Sequence, residues 1–182
     1  MRTLRPSTLS RTLALVPPAV ILVSQHASAT FNSFLKFSTI AGESIDAKHA
    51  NWIDITKFSF GSGYSTPATP GGATYPIATE FTITKKLDKS SPQLFLACAM
   101  GTVVPTVTLE LVTTGGTSVF YRIILTNATV KSTVTAGTAA LDATPLESVS
   151  IKYEKIQIDY YIQDAKGGVT LGSSITWSFT TP

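Results

Sequence analysis

Leu146-Glu147-Ser148-Val149-Ser150-Ile151-Lys152-Tyr153-Glu154-Lys155-Ile156-Gln157-Ile158-Asp159-Tyr160-Tyr161 is the stretch whose reading decides the fold. Val149, Ile151 and Tyr153 stand at every second position, and Ile156, Ile158 and Tyr160 do the same on the opposite parity. A period of two marks a strand with one buried face. One extra residue in a strand moves every following side chain to the other face, so the switch predicts a β-bulge at Glu154-Lys155. The pattern recurs upstream across Asn51–Gly61, where Ile53 and Ile55 alternate and Phe58 and Phe60 continue on the other parity, predicting a bulge near Thr56-Lys57. Two long bulged strands in one chain predict a sheet bent into an antiparallel β-barrel or tight sandwich.

The flanking sequence fills in the rest of an all-β protein. Phe31–Phe37 reads as a first strand with Leu35 and Phe37 on one face, and Glu80–Thr84 as another. Val107, Leu109 and Leu111 alternate before the turn Thr114-Gly115-Gly116-Thr117, which leads into Val119–Val130 as a hairpin. A Thr- and Ala-rich loop is expected over Ser132–Thr144. Lys166-Gly167-Gly168 makes the last turn, and Val169, Leu171, Ile175, Trp177 and Phe179 close the chain. One short helix interrupts this pattern at about 91–100: Ser91 can cap it, Pro92 suits its first position, and Gly101 suits the residue past its end. Leu94, Ala97 and Cys98 share its inner face. The count is about seven or eight strands with one inserted helix.

The first 29 residues form a unit of their own. Arg2, Arg5 and Arg11 are the only charged residues before Phe31; an apolar stretch follows over Leu13–Val23, then Ala27-Ser28-Ala29. A basic start, a short apolar run and a small-residue end read as a cleavable signal peptide, too short for the ~20 apolar residues of a membrane span. A misassigned start is the alternative, and would leave the protein cytoplasmic before its export. Residues 30–182 are then a single domain. Without those three arginines the chain has 11 basic residues against 11 acidic, so its formal charge of +3 belongs to the leader. No basic face for a phosphate backbone remains, and no nucleic-acid partner is expected.

Catalytic chemistry has few candidates. His49 is the one histidine outside the leader, which excludes a multi-histidine metal site. With Asp46 nearby it could be a base and its orienter, but a loop histidine in the polar run Glu43–His49 is the simpler reading. Cys98, the single cysteine, excludes an internal disulfide and reads as a small core residue on the helix rather than a nucleophile. Glu80, Asp88, Glu110, Glu147, Glu154 and Asp159 read as the solvated face of the sheet; a hydrolase would need two of them to face one cleft. Asn127-Ala128-Thr129 matches a glycosylation acceptor at a strand end. No cofactor, metal or catalytic residue is expected.

What remains is surface. Gly61–Pro76 has no periodicity and holds Gly61, Ser62, Gly63, Tyr64, Pro67, Pro70, Gly71, Gly72, Tyr75 and Pro76. A loop of this length in a compact domain is uncommon and usually functional. Ordering it needs a partner surface, and strand edges in a neutral domain suit self-association in a closed ring.

The ordered set of parts resembles the Hcp (haemolysin-coregulated protein) family of type VI secretion. The resemblance runs from Phe31 to Phe179. It rests on Phe34-Leu35-Lys36-Phe37 with Gly42-Glu43-Ser44, on Ile53-Asp54-Ile55 leading to Phe58-Ser59-Phe60-Gly61, on Phe81–Leu94 continuing through Ala97-Cys98 to Gly101, and on Glu147–Tyr153 with Ile156–Tyr160. It implies a β-barrel with one helix on its side, built into homohexameric rings that stack as a tube, hold effector cargo and meet a spike protein. It also implies that Gly61–Pro76 reaches the neighbouring ring. Tube subunits of that family are loaded from the cytoplasm without a leader, so Met1–Ala29 departs from the pattern. The alternative is an exported β-barrel binding module with no tube role, secreted to the periplasm or beyond.

Overall fold

The computed structural model describes residues 30–65, 74–115, 118–164 and 168–179. Ten strands and one helix follow in order: β1 (Phe31–Phe37), β2 (Ile53–Ser59), β3 (Ser62–Tyr64), β4 (Pro76–Ala78), β5 (Phe81–Lys86), α1 (Ser91–Met100), β6 (Val103–Thr113), β7 (Val119–Ala136), β8 (Leu146–Lys152), β9 (Lys155–Gln163) and β10 (Val169–Ser178). Eight of them form one antiparallel sheet in the order β10-β9-β7-β6-β1-β2-β5-β8, and a further β7–β8 pairing closes six into a barrel. The other two, β3 and β4, pair as a separate ribbon. The all-β barrel expected from the alternation is therefore what forms.

Closure depends on β7, which carries β6 on one side and both β8 and β9, end to end, on the other. Its length was underestimated from sequence, because Ser132–Ala136 read as loop. These five residues are small or β-branched and pair with Leu146–Ser150, so they extend the strand and leave the loop at 137–145. The bulge near Thr56-Lys57 is present as a register shift between Ile55 and Lys57.

The switch at Glu154-Lys155 has a different origin from the one expected. Thr126 pairs with Lys155 and Thr129 with Lys152, which leaves two residues between on each strand and no register shift. Both strands turn over together: Leu125 and Ile156 are buried on one side of the break, Ala128 and Tyr153 on the other. Asn127 takes φ +52° there, a left-handed conformation asparagine tolerates better than most residues. Its side-chain amide donates to Glu154 (2.7 Å), and the Glu154 amide donates to the Thr126 carbonyl (3.2 Å), so the break is matched and hydrogen-bonded.

The barrel interior is filled by Leu35, Phe37, Ile53, Phe81, Ile83, Val107, Leu109, Ile123, Leu125, Val149 and Ile151. Helix α1 lies over it with Leu94 and Ala97 buried. Its N-terminus is preceded by Ser90 rather than capped by Ser91; Asp88 accepts from the Ser90 amide (2.8 Å), and Ser91 takes another role. Gly101 ends it at φ +61°, where its amide and that of Thr102 donate to the carbonyls of Cys98 and Ala97.

Candidate assembly surface

Three rows of residues cross the sheet on its core side, and their fate changes at β9. Leu35, Leu109, Ile123, Ile158 and Ile175 are cross-strand neighbours on β1, β6, β7, β9 and β10. The first three are wholly buried, whereas Ile175 is 55% exposed. The next row, Phe37, Val107, Leu125, Ile156 and Trp177, is buried until Trp177, which is 52% exposed. In the third, Leu111 and Tyr121 lead to Tyr160, half exposed on β9. The reason is topological. Strands β8 and β9 share one edge of β7; β8 continues to β5 and closes the barrel, while β9 continues only to β10. The β9–β10 pair is a flap whose apolar side has left the barrel it matches, and Ile162 extends that exposed side. Uncovered apolar faces of this kind mark interaction surfaces.

The second projecting feature is the ribbon. Gly61 and Thr79 close its base, where the Thr79 amide and Oγ1 both donate to the Gly61 carbonyl (2.9 and 3.0 Å). Ser62, Gly63 and Tyr64 then pair with Ala78, Ile77 and Pro76, and Ser65 exchanges hydrogen bonds with Tyr75. Of the ten expected loop residues, Gly61, Ser62, Gly63, Tyr64, Tyr75 and Pro76 are thus brought together as a two-stranded arm; Pro67, Pro70, Gly71 and Gly72 lie outside the described residues. The arm's strands were missed because three residues are too few to show a period. Tyr64, Tyr75 and Ile77 are exposed on it. A groove of about 900 Å³ runs between the ribbon, the β7–β9 break and the end of β10, with Tyr75, Ile77, Tyr153, Trp177 and Phe179 among its walls. Burial pushes the Tyr153 hydroxyl above the ordinary tyrosine range.

Two buried ionic clusters were not anticipated. Lys85, directly opposite Glu147 on β8, is fully buried with its ammonium 3.0 Å from Glu147 and 2.8 Å from Asp88. It also donates to Ser91 Oγ and to the Lys86 carbonyl (2.9 Å each), while Ser91 donates to Glu147 (2.7 Å). This cluster fastens the start of α1 to the barrel. The alternation held the clue, since Lys85 falls in step with Phe81 and Ile83, and Glu147 with Val149 and Ile151. Glu147 and Asp159 are therefore buried, not solvated as their alternation implied; Asp159 accepts from Ser174 Oγ (2.6 Å) and Gln157.

His49 is a loop residue, as expected, but a buried one. It is 2% exposed, stacked on Phe34 (ring centroids 4.2 Å apart) and edge-on to Trp52. Asp46 lies 2.7 Å from Nδ1 and Glu110 2.9 Å from Nε2, and Arg122 Nε donates to the other Glu110 oxygen (2.8 Å). The hydrogen bond from His49 holds the Asp46 carboxyl below its ordinary range; desolvation opposes this, and the Lys48 and His49 amides support it. With both ring nitrogens engaged by carboxylates, His49 has none to offer Cys98, which packs against the core from α1. Glu80 and Glu154 do face one groove, as a hydrolase requires, but Glu80 accepts from Ser150 and Glu154 from Asn127. Among the described residues no group of three or more His, Cys, Asp or Glu is arranged to hold a metal, and no helix is long and apolar enough to cross a membrane.

A closed barrel with a two-stranded arm and an apolar flap half exposed among the described residues defines a β-barrel protein whose distinctive features are surfaces for contact. The family described as type VI secretion system effector, Hcp, matches residues 34–160. Protein hcp1 of Pseudomonas aeruginosa is 33% identical over 138 residues, covering 74% of this chain and 85% of that protein. A solved structure described as a type six secretion system protein superposes with a TM-score of 0.71 at 27% identity, over 82% of this chain and 96% of the other. Hcp1 from Salmonella typhimurium shares the fold, with a TM-score of 0.70 at 22% identity over 84% and 96%. The chain belongs to the Hcp family of type VI secretion.

Proposed function

We propose that this protein is a structural subunit of a type VI secretion tube, working by fitting against copies of itself and performing no chemical step. The observation that carries the reading is the flap: three core-side rows continue unbroken onto Tyr160, Ile175 and Trp177, which the described residues leave about half exposed. A closed ring needs one patch on each subunit to meet a different patch on the next. Homohexameric rings formed through the flap and stacked through the Gly61–Pro76 arm satisfy that need, with effector cargo in the channel and a spike protein at the tube's end. Membership of the Hcp family supports the same reading. Met1–Ala29 acts as an export signal in this proposal, so the mature protein is a secreted one beginning near Thr30, and N-terminal sequencing of the exported protein checks it.

The test is native mass measurement on purified protein. A species of six subunits is expected, and a Trp177→Glu variant should be monomeric with the barrel still folded. Replacing Tyr64–Tyr75 by a short Gly-Ser linker should leave rings that no longer stack. A strict monomer at high concentration would overturn the tube reading in favour of an exported binding module.

A further inference from the structure

We infer that His49 is a proton-operated latch, which fastens the 42–52 loop to the barrel wall and, through Glu110 and Arg122, reaches the flap. A neutral imidazole has one N–H, and an ionised carboxylate only accepts. His49 faces a carboxylate at each nitrogen, at 2.7 and 2.9 Å, so both contacts are hydrogen bonds only when the ring carries two protons. When the second proton leaves to water, one nitrogen lone pair faces carboxylate oxygens and that hydrogen bond is lost; the ring itself is buried, the Glu110 side is largely enclosed and the Asp46 side is partly open.

The surroundings make the consequence local. Around the ring, the loop contributes Asp46 and Lys48, β6 contributes Glu110, β7 contributes Arg122, and β1 contributes the apolar Phe34, with Lys36 beyond over Trp52. Three backbone hydrogen bonds join the two sides of the loop, Gly42 to Asn51, Ser44 to Trp52, and Asn51 to Ser44, and two more, His49 to Asp46 and Trp52 to His49, shape its tip. The loop is also tied to the body through Glu43 and Asn51 to Lys89. At the far end of the chain of contacts, the Arg122 guanidinium lies 5.3 Å from the ring centroid of Tyr161 on β9. The flap therefore shares Arg122 with the latch. That last link to assembly rests on the tube reading above, whereas the latch itself does not.

The experiment uses the full chain, labelled with ¹⁵N, from about pH 5 to about pH 8, the span in which histidine side chains in general change charge. It reads the His49 ring nitrogens, amide exchange at Gly42, Ser44 and Asn51, and native mass on the same samples. Both ring nitrogens should be protonated at the acid end. As the ring loses a proton, exchange at the three amides, corrected for its intrinsic pH dependence, should rise about tenfold, the size expected for one hydrogen bond to a charged group. Glu110→Gln supplies an amide that can donate to the bare nitrogen or accept from the protonated one, so that variant should show flat exchange. A ring holding one proton throughout, flat exchange in the native chain, or undiminished pH sensitivity in Glu110→Gln overturns the latch. Monomers at every pH alongside pH-dependent exchange leave the latch standing and overturn the tube reading and the link to the flap.

Discussion

Phe37 and Trp177 occupy opposite ends of one cross-strand row, face the same side of one sheet, and live in different environments. Phe37 is inside the barrel; Trp177 is half in water. Neither residue type nor alternation distinguishes them. The difference arises because β8 turns the sheet back on itself and β9, collinear with it along β7, does not. Hydrophobic patterning thus specifies which face is apolar, and closure specifies whether that face is already satisfied within one chain. The flap is what an apolar face looks like when closure stops one strand short.

Substitution along that row gives the sharpest contrast. Phe37→Ala should cost about 3–5 kcal/mol of unfolding free energy in denaturant titrations, as burial of a large aromatic side chain implies. Trp177→Ala, which removes a side chain only half buried, should cost clearly less, about 1–2 kcal/mol. Equal costs at the two ends would mean that the flap is covered within the chain, and the contrast would fail.

A somewhat smaller effect separates buried from exposed charge. Lys85→Ala leaves Glu147 and Asp88 without their cation in a dry site, and should destabilise by about 3 kcal/mol, whereas Lys155→Ala, exposed at the start of the flap, should lie within about 0.5 kcal/mol of native. Chemical denaturation of the two variants side by side decides it.

Backbone crowding comes next. A Cβ added at Gly42 would sit 2.2 Å from the Trp52 carbonyl oxygen, so the loop must move. Gly42→Ala should cost about 1–3 kcal/mol in thermal or denaturant unfolding, the range for overpacking, and should raise exchange in the 42–52 loop. An unchanged melting curve would show that the loop yields freely and is no part of the rigid wall.

The smallest effect is at acid pH. Asp46 has a folded-state pKa below its unfolded value, so its contribution is present above the ordinary aspartate range and is lost as pH falls through the lowered value. Native protein should therefore exceed Asp46→Asn in melting temperature near neutrality, and the gap should close below about pH 4. A constant gap across that range would show that Asp46 acts by packing and not by charge.

Much of the wall was legible from alternation, but its polar members were not. Lys85 and Glu147 kept step with buried neighbours, yet charged residues alternating with apolar ones usually face water, and only their direct opposition across β5 and β8 shows that they satisfy each other. Of the His49 cluster only the Asp46 contact was legible, three residues away; Glu110 lies 61 residues away in sequence and Arg122 further still. The parity switch at Tyr153 was visible, but one strand alone cannot say whether its partner switches too. The matched turn at Asn127 makes it a shared break instead of a bulge. The arm was legible as an exception to the pattern, through its glycines and prolines, and its three-residue strands were not.

By itself the sequence determined that this chain is all-β with a short helix at 91–100, that its apolar residues line one face, and that few groups were available for catalysis. These follow from local periodicity and from composition, which any segment carries within itself. Tertiary structure decided which stretch of the apolar face is buried, which charges are paired in the dark, and that a histidine in a polar run ends up between two carboxylates. Those outcomes depend on strand order and closure, contacts between residues far apart in the chain, and a one-dimensional pattern does not encode them.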